Sequence, residues 1–429
     1  MRTKYSLVSV LGSAPFALVL VCCAVSVRAQ TITVPPSSAV NPPDAGIRAA
    51  TNVQVLKMMG KPGTFQAAGP PFTDAFFETP ASIACIYGFT SSVPGCDPYT
   101  ATENPTRGSK ALAVVDAYDD PNAFADLQAF SMQFGLTAIT SHSFQVVYAP
   151  FGTSTPGGCA GSPPGPQPSS ALNTGWDFEE SLDIEWTHAM APGATLYLVE
   201  AQSDSFSDLL CAVTVASHLV NKAGGGEVSM SWGSGEWAGE ISLDSVFTTP
   251  KVVYFAAAGD SPGSVEYPSA SPNVVSVGAT TLSTNPSTGA FHSENTWYET
   301  GGGVSAYEPR PSYQSSIAGI VGAYRGTPDI SADGNPDTGV WVLDSLECGG
   351  CWFVFGGTSV STALWAGIVN SAGSFAASTD AELTKLYKDG ASDFTDITHG
   401  MCNAYMETLA TSGWDICSGR GSPKTYSGK

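Results

Sequence analysis

Gly356-Gly357-Thr358-Ser359-Val360-Ser361-Thr362-Ala363-Leu364-Trp365-Ala366-Gly367 sets a serine where a glycine-bearing turn opens into an apolar helix. Two glycines permit a tight turn and close backbone approach, and the helix that follows points its amide dipoles at negative charge growing beside Ser359. Acyl transfer has these requirements, with Ser359 as the nucleophile. Gly-Thr-Ser before a hydrophobic run is also an ordinary helix N-cap. Partners elsewhere in the chain decide between the two readings.

The first partner lies in Glu179-Glu180-Ser181-Leu182-Asp183-Ile184-Glu185-Trp186. Glu179 and Asp183 are four apart, which on a helix puts both carboxylates on one face, a turn from each other. Such a pair is often only a solvated acidic face. Here Leu182, Trp186, Ala189 and Met190 mark much of the helix as buried. At an effective dielectric near 20, two like charges about 4 Å apart repel by roughly 4 kcal/mol, or about 3 pK units. One proton therefore stays on the pair, which titrates as a unit and is able to accept a proton from a serine in acid. The five histidines, His142, His188, His218, His292 and His399, read as structural or surface residues. An imidazole of ordinary pKa, about 6.5, is protonated and useless as a base near pH 4, whereas a glutamate near 4.3 still functions.

A third acid, Asp260, closes Val252-Val253-Tyr254-Phe255-Ala256-Ala257-Ala258-Gly259-Asp260, at the carboxyl end of a buried strand where open α/β sheets gather their sites. It reads either as a turn cap or as a protonated acid donating to a tetrahedral oxyanion. Further short apolar runs at Leu112 to Val115, Thr195 to Val199, Val228 to Met230 and Val274 to Val277 look like buried strands. Helical patterns at Asp120 to Phe134, Phe178 to Met190 and Phe206 to Lys222 separate several of them. This alternation predicts an α/β fold with a mostly parallel central sheet and helices on both faces. The Gly, Pro and Ser of Tyr148 to Thr174 read as a surface loop.

In this order, these motifs resemble the sedolisins, the serine-carboxyl peptidase family that shares the subtilisin fold. The resemblance runs from about Thr79 to Pro423. It includes Leu182-Asp183-Ile184-Glu185 leading to Ala191-Pro192-Gly193-Ala194, Ser229-Met230-Ser231-Trp232-Gly233, Gly301-Gly302-Gly303-Val304-Ser305 and Pro328-Asp329-Ile330-Ser331-Ala332-Asp333. It implies a subtilisin-like three-layer fold and hydrolysis of protein or peptide substrates, by internal cleavage or by removal of tripeptides. Ser359 would be the nucleophile, Glu179 its base and later acid, Asp183 the partner of Glu179, and Asp260 the oxyanion donor. Asp116 and Trp232 would support the carboxylate network, although Trp232 equally suits the core. No histidine stands in the His-Gly-Thr-His setting of a subtilisin base, which disfavours a neutral subtilisin. Ala363 stands where the family often has proline. The resemblance also implies one structural Ca2+, held by the carboxylates of Asp396 and Asp415 and the carbonyls of Ile397, Thr411 and Gly413. A non-catalytic secreted binding module that kept the fold is the alternative reading.

Met1 to Ala29 carries the basic, apolar and small-residue regions of a secretory signal. Residues 30–78 read as a short extended leader or propeptide remnant with a helical stretch near Val53 to Met59, and residues 79–429 as the peptidase domain. No later run is long enough to span a bilayer, so the expectation is a secreted, extracellular or periplasmic protein, monomeric and free of the membrane. Ten cysteines become eight once Cys22 and Cys23 leave. Of the 105 pairings that eight allow, local spacing favours Cys85 with Cys96, Cys348 with Cys351 and Cys402 with Cys417, leaving Cys159 for Cys211. Asp plus Glu outnumber Lys plus Arg by 38 to 17, and loss of Arg2, Lys4 and Arg28 takes the formal charge from −21 to −24. Nothing would neutralise phosphates, so nucleic acid is not expected as a partner. Such a charge serves plain solubility, or suits a protein that works where acid brings it toward zero.

Overall fold

The computed structural model of the chain describes residues 31–57, 69–73, 75–153, 159, 164–388, 390–403, 408–427 and 429. The signal expected over residues 1–29 lies outside them. In chain order the strands that matter here are β1 (Ala50–Thr51), β2 (Gln54–Lys57), β3 (Ala111–Ala117), β4 (Phe144–Tyr148), β5 (Thr195–Ala201), β6 (Gly226–Met230), β7 (Trp232–Gly235), β8 (Val252–Ala257), β9 (Glu266–Tyr267), β10 (Val275–Thr284), β11 (Phe291–Thr296), β12 (Ile330–Asp333), β13 (Val340–Asp344) and β14 (Cys351–Gly356). The main helices are α1 (Ala123–Phe134), α2 (Trp176–Met190), α3 (Phe206–Lys222) and α4 (Thr358–Ala372).

Eight strands form the central sheet in the order β11-β10-β8-β6-β3-β5-β4, with β12 also paired to β10. Every pairing is parallel except that of β11 with β10. Successive side chains of a strand point to opposite faces, and here both faces are covered, which is why the strands read as unbroken apolar runs. Leu112, Val114, Leu196, Leu198 and Phe255 pack on one face with Phe130 of α1, Leu182 and Trp186 of α2, and Leu364 of α4. Ala113, Val115, Val199, Val228 and Tyr254 pack on the other with Leu209 and Val213 of α3. The result is the expected three-layer α/β architecture. Each fully buried aliphatic or aromatic side chain contributes about 1.5–3 kcal/mol to holding these layers together.

Of the segment expected to be helical near Val53 to Met59, the described part, up to Lys57, is extended, and Met58 and Met59 lie outside the described residues. Gln54–Lys57 is β2, antiparallel to β14, with Gly356 opposite Gln54 and Phe353 opposite Lys57. Val53, Val55 and Leu56 are buried in the larger core. Tertiary pairing overrides the local pattern, and the two valines suit an extended backbone. Just before it, β1 pairs antiparallel with β7. Thus residues 31–57, read from composition as a leader ahead of the domain, share one compact unit with it. All four cysteine pairs, Cys85–Cys96, Cys159–Cys211, Cys348–Cys351 and Cys402–Cys417, are bonded. Among the described residues no helix is long and apolar enough to cross a membrane.

Candidate active site

The start of α4 leaves backbone N–H groups that no turn of helix can satisfy. Asp260, just past the end of β8, accepts the Thr358 amide and the Thr358 hydroxyl on Oδ1, each at 2.8 Å. The Thr358 hydroxyl also accepts the Gly259 amide at 3.2 Å. The next amide, that of Ser359, donates to the Asn52 carbonyl at 3.1 Å. Gly357 adopts φ +109°, and a Cβ there would lie 2.0 Å from Asn52 O and 2.6 Å from Asp260 Oδ2. Only glycine lets this backbone pass between the two oxygens.

Ser359 is wholly buried, and its hydroxyl donates to the Ser231 carbonyl at 3.2 Å. Glu179 and Asp183 point inward from α2, both without exposed surface, and the Ser231 hydroxyl donates to Asp183 Oδ1 at 2.7 Å. Asp116, on β3, is equally buried, and neither of its oxygens has a hydrogen-bond partner among the described residues. Burial pushes Glu179 well above the usual carboxylate range, and the charges of Asp183 and Asp116 push it further. Burial likewise raises Asp116 and Asp183; Asp183 adds to the shift of Asp116, while the Ser231 hydroxyl partly offsets that of Asp183. A cluster of this kind retains protons well above the pH at which a free carboxyl loses them. The Ser359 hydroxyl favours ionised Glu179, yet its well-formed hydrogen bond goes to Ser231, and among the described residues both Glu179 oxygens lack one.

Asp260 is partly exposed as a residue, but its Oδ2 is shut off from solvent and has no hydrogen-bond partner among the described residues. Burial raises its pKa well above the aspartate range against the pull of the two Thr358 hydrogen bonds, and Glu266 and Glu299 raise it further. A protonated Oδ2 is therefore free to donate. Trp232 is buried; its indole donates to the Val115 carbonyl at 2.7 Å and its ring meets Phe206 edge-on. It holds the strand just ahead of Asp116 while filling the core. The histidines lie elsewhere: His142, His218, His292 and His399 are exposed, and buried His188 bonds the Thr137 carbonyl through Nε2 at 3.0 Å.

Toward the C-terminus, the loop 411–415 folds over Asp396. The Gly413 amide reaches Asp396 Oδ2 at 3.0 Å, and the Ser412 hydroxyl reaches the same oxygen at 3.2 Å. Asp415 accepts the Thr411 amide at 2.8 Å and the Cys417 and Ser418 amides at 2.9 Å. No cluster of three or more His, Cys, Asp or Glu side chains placed to hold a metal occurs among the described residues. The expected set contains only two carboxylates, the rest being backbone carbonyls. Asp396 and Asp415 thus bring carboxylate oxygens, the hard donors of a calcium site, to one loop, where they accept its amides and a hydroxyl.

Sequence reading did not single out four residues of the site. Ser231 lies within Ser229-Met230-Ser231-Trp232-Gly233, but nothing local shows that its hydroxyl meets Asp183. Thr358 flanks Ser359 without announcing a bond to Asp260. Asn52 lay in the presumed leader, and Glu266 carried no motif; the Asn52 side-chain amide donates to Glu266 Oε2 at 3.2 Å.

Residues 159–403 match the model of the Subtilase family. The chain is 34% identical over 289 residues to kumamolisin of Bacillus sp. (strain MN-32), covering 60% of this chain and 51% of that protein. It is 28% identical over 304 residues to sedolisin of Pseudomonas sp. (strain 101), covering 63% and 48%. It thus spans about half the length of the curated relatives it matches. The solved structure of Pseudomonas sedolisin, a serine-carboxyl proteinase complexed with two molecules of pseudo-iodotyrostatin, superposes with a TM-score of 0.62 at 24% identity, covering 82% of this chain and 96% of that one. The chain belongs to the subtilase family, in its sedolisin branch.

Proposed function

We propose that this chain is a secreted, acid-acting serine-carboxyl peptidase that hydrolyses peptide bonds through an acyl-enzyme on Ser359. The observation that carries the reading is the convergence of one buried serine with buried Glu179, Asp183 and Asp116 in a site that holds no histidine. The Ser359 hydroxyl attacks the peptide carbonyl as its proton passes to Glu179. Asp183, steadied by the Ser231 hydroxyl, shares the remaining proton of the pair and holds Glu179 in place. The oxyanion that forms accepts from the Ser359 amide and from protonated Asp260. Glu179 then returns its proton to the departing amine, and water resolves the ester by the same steps in reverse.

The bonded cysteine pairs suit an oxidising compartment and so support secretion. Asp396 and Asp415, with the carbonyls of Ile397, Thr411 and Gly413, would hold one structural Ca2+. The ion would tie the C-terminal loop together without entering the reaction. Incubating the purified protein with unfolded casein from about pH 3 to about pH 8 tests the function. Wild type cuts in acid and Ser359→Ala does not, while both give the same circular dichroism spectrum. Equal activity in the variant removes Ser359 from the reaction, and no activity in either protein at any pH favours a binding module.

A further inference from the structure

The stretch 49–57 does not skirt the site; it runs through it. On one side of Ser359, Ala50 and Thr51 pair antiparallel with Gly233 and Trp232. The Asn52 amide continues that ladder by donating to the Ser231 carbonyl at 3.2 Å. On the other side, Gln54–Lys57 pairs with β14, the strand that delivers the nucleophile. Between them, the Asn52 carbonyl accepts the Ser359 amide at 3.1 Å. That amide is the donor the reaction needs for its oxyanion, so the carbonyl in its grip is placed as the one under attack. A strand held by backbone bonds on both sides of a nucleophile, with one carbonyl in the oxyanion position, is bound as a substrate is bound.

The side chain of the residue before that bond is also read. Asn52 sends Nδ2 to Glu266 Oε2 at 3.2 Å. Glu266 is on β9, which pairs with β7, and is buried. Room for it comes from two glycines: a Cβ on Gly233 would lie 2.7 Å from Glu266 Oε2, and one on Gly259 2.7 Å from Oε1. Burial pushes the Glu266 carboxyl up to about 7, against the pull of the Asn52 amide. It is therefore neutral in acid and offers one acceptor and one donor, the complement of a primary amide.

We propose that Ser359 cuts its own chain between Asn52 and Val53, and that Glu266 selects an amide side chain at the residue preceding a scissile bond. This rests on the peptidase reading above. The Ser359 oxygen bonds to the Asn52 carbonyl carbon and its proton goes to Glu179. The bond from that carbon to the Val53 nitrogen breaks, and Glu179 protonates the new Val53 amine. A water molecule then splits the ester, its hydroxyl completing an Asn52 carboxyl group and a proton returning to Ser359. Val53, Val55 and Leu56 are core residues, so the downstream product stays in place as a strand of the domain. The upstream product leaves the cleft and opens it to other chains.

The test follows the full chain at about pH 4 by mass spectrometry of its termini, with unfolded casein digested in parallel. New ends at Asn52 and Val53 in wild type, absent in Ser359→Ala, are expected. Casein cleavage with the Asn52–Val53 bond intact overturns this inference alone, as does a cut that persists in Ser359→Ala. Failure to cut either substrate overturns the peptidase reading and this inference with it. Paired peptides carrying Asn or Leu before the cut then test the selection. The kcat/KM ratio of Asn to Leu should fall about tenfold or more in Glu266→Leu, the scale of a lost buried hydrogen bond, and be largely retained in Glu266→Gln. A ratio near one in wild type, or one unmoved in Glu266→Leu, overturns the role of Glu266.

Discussion

A carboxylate base asks different things of its neighbours than an imidazole does. It needs a second acid to share its proton, an apolar surround to raise its pKa, and an oxyanion donor that also holds a proton in acid. Glu179, Asp183 and Asp260 have these surroundings, and each is raised by burial first. Replacing Asp260 by alanine is expected to lower kcat by about 10²–10³, the scale of a lost oxyanion donor. Asp260→Asn keeps a donor and should move the alkaline limb of the kcat profile upward. An unchanged limb would mean that the proton of Asp260 does not set it. Thr358→Val removes one of the two bonds to Asp260 and leaves Gly259 N–H without its acceptor. It should destabilise the fold by about 1–3 kcal/mol, read as a shift in the urea midpoint.

At the scale of elements, the turn before α4 is the tightest constraint. Gly357→Ala would push a methyl group into Asn52 O and Asp260 Oδ2 at a positive φ. Loss of both activity and soluble expression is expected, and a soluble, active variant would show that the turn has room to move. The same region marks the boundary of what sequence can reveal. The five strands from Leu112 to Val277 and the helices carrying Glu179 and running from Phe206 to Lys222 were legible, because burial on both sheet faces and a helical apolar stripe are local patterns. Ser359, Glu179, Asp183 and Asp260 could be named because each stands in a recognisable stretch. β2 was misread as helical because its extended state comes from pairing with β14, some 300 residues away. Asn52 and Glu266 were missed for the same reason: neither has a local signature, and their meaning arises only where distant strands meet.

Over the whole molecule, acidity is built into the interior as well as the surface. Burial raises Asp344 to about 6, Asp120 to about 7, Glu78 and Glu227 to about 8, and Asp177 to about 9. The folded protein therefore binds protons more tightly than the unfolded chain, whose carboxyls titrate near 4. Stability from these groups is complete below about pH 4, is lost progressively above it, and levels off once pH has passed the folded values of about 6 to 9. Self-repulsion of a formal charge of −21 acts in the same direction. Tm by calorimetry should be highest in acid and fall steadily from about pH 4 upward; a maximum near pH 8 would show that these buried carboxyls are not held protonated. Chelation with EGTA should lower Tm at constant pH, and added Ca2+ should restore it, if the loop around Asp396 and Asp415 holds the ion. A proton shuttle through the Glu179–Asp183 pair fixes the pH profile, so kcat/KM on one peptide from about pH 3 to about pH 8 for wild type and Glu179→Gln decides whether it operates. Wild type should show an acidic maximum and the variant a loss of at least about a hundredfold, the scale of general acid–base catalysis. A variant as active as wild type, or a wild-type profile rising through the histidine range near pH 6.5, would contradict the shuttle.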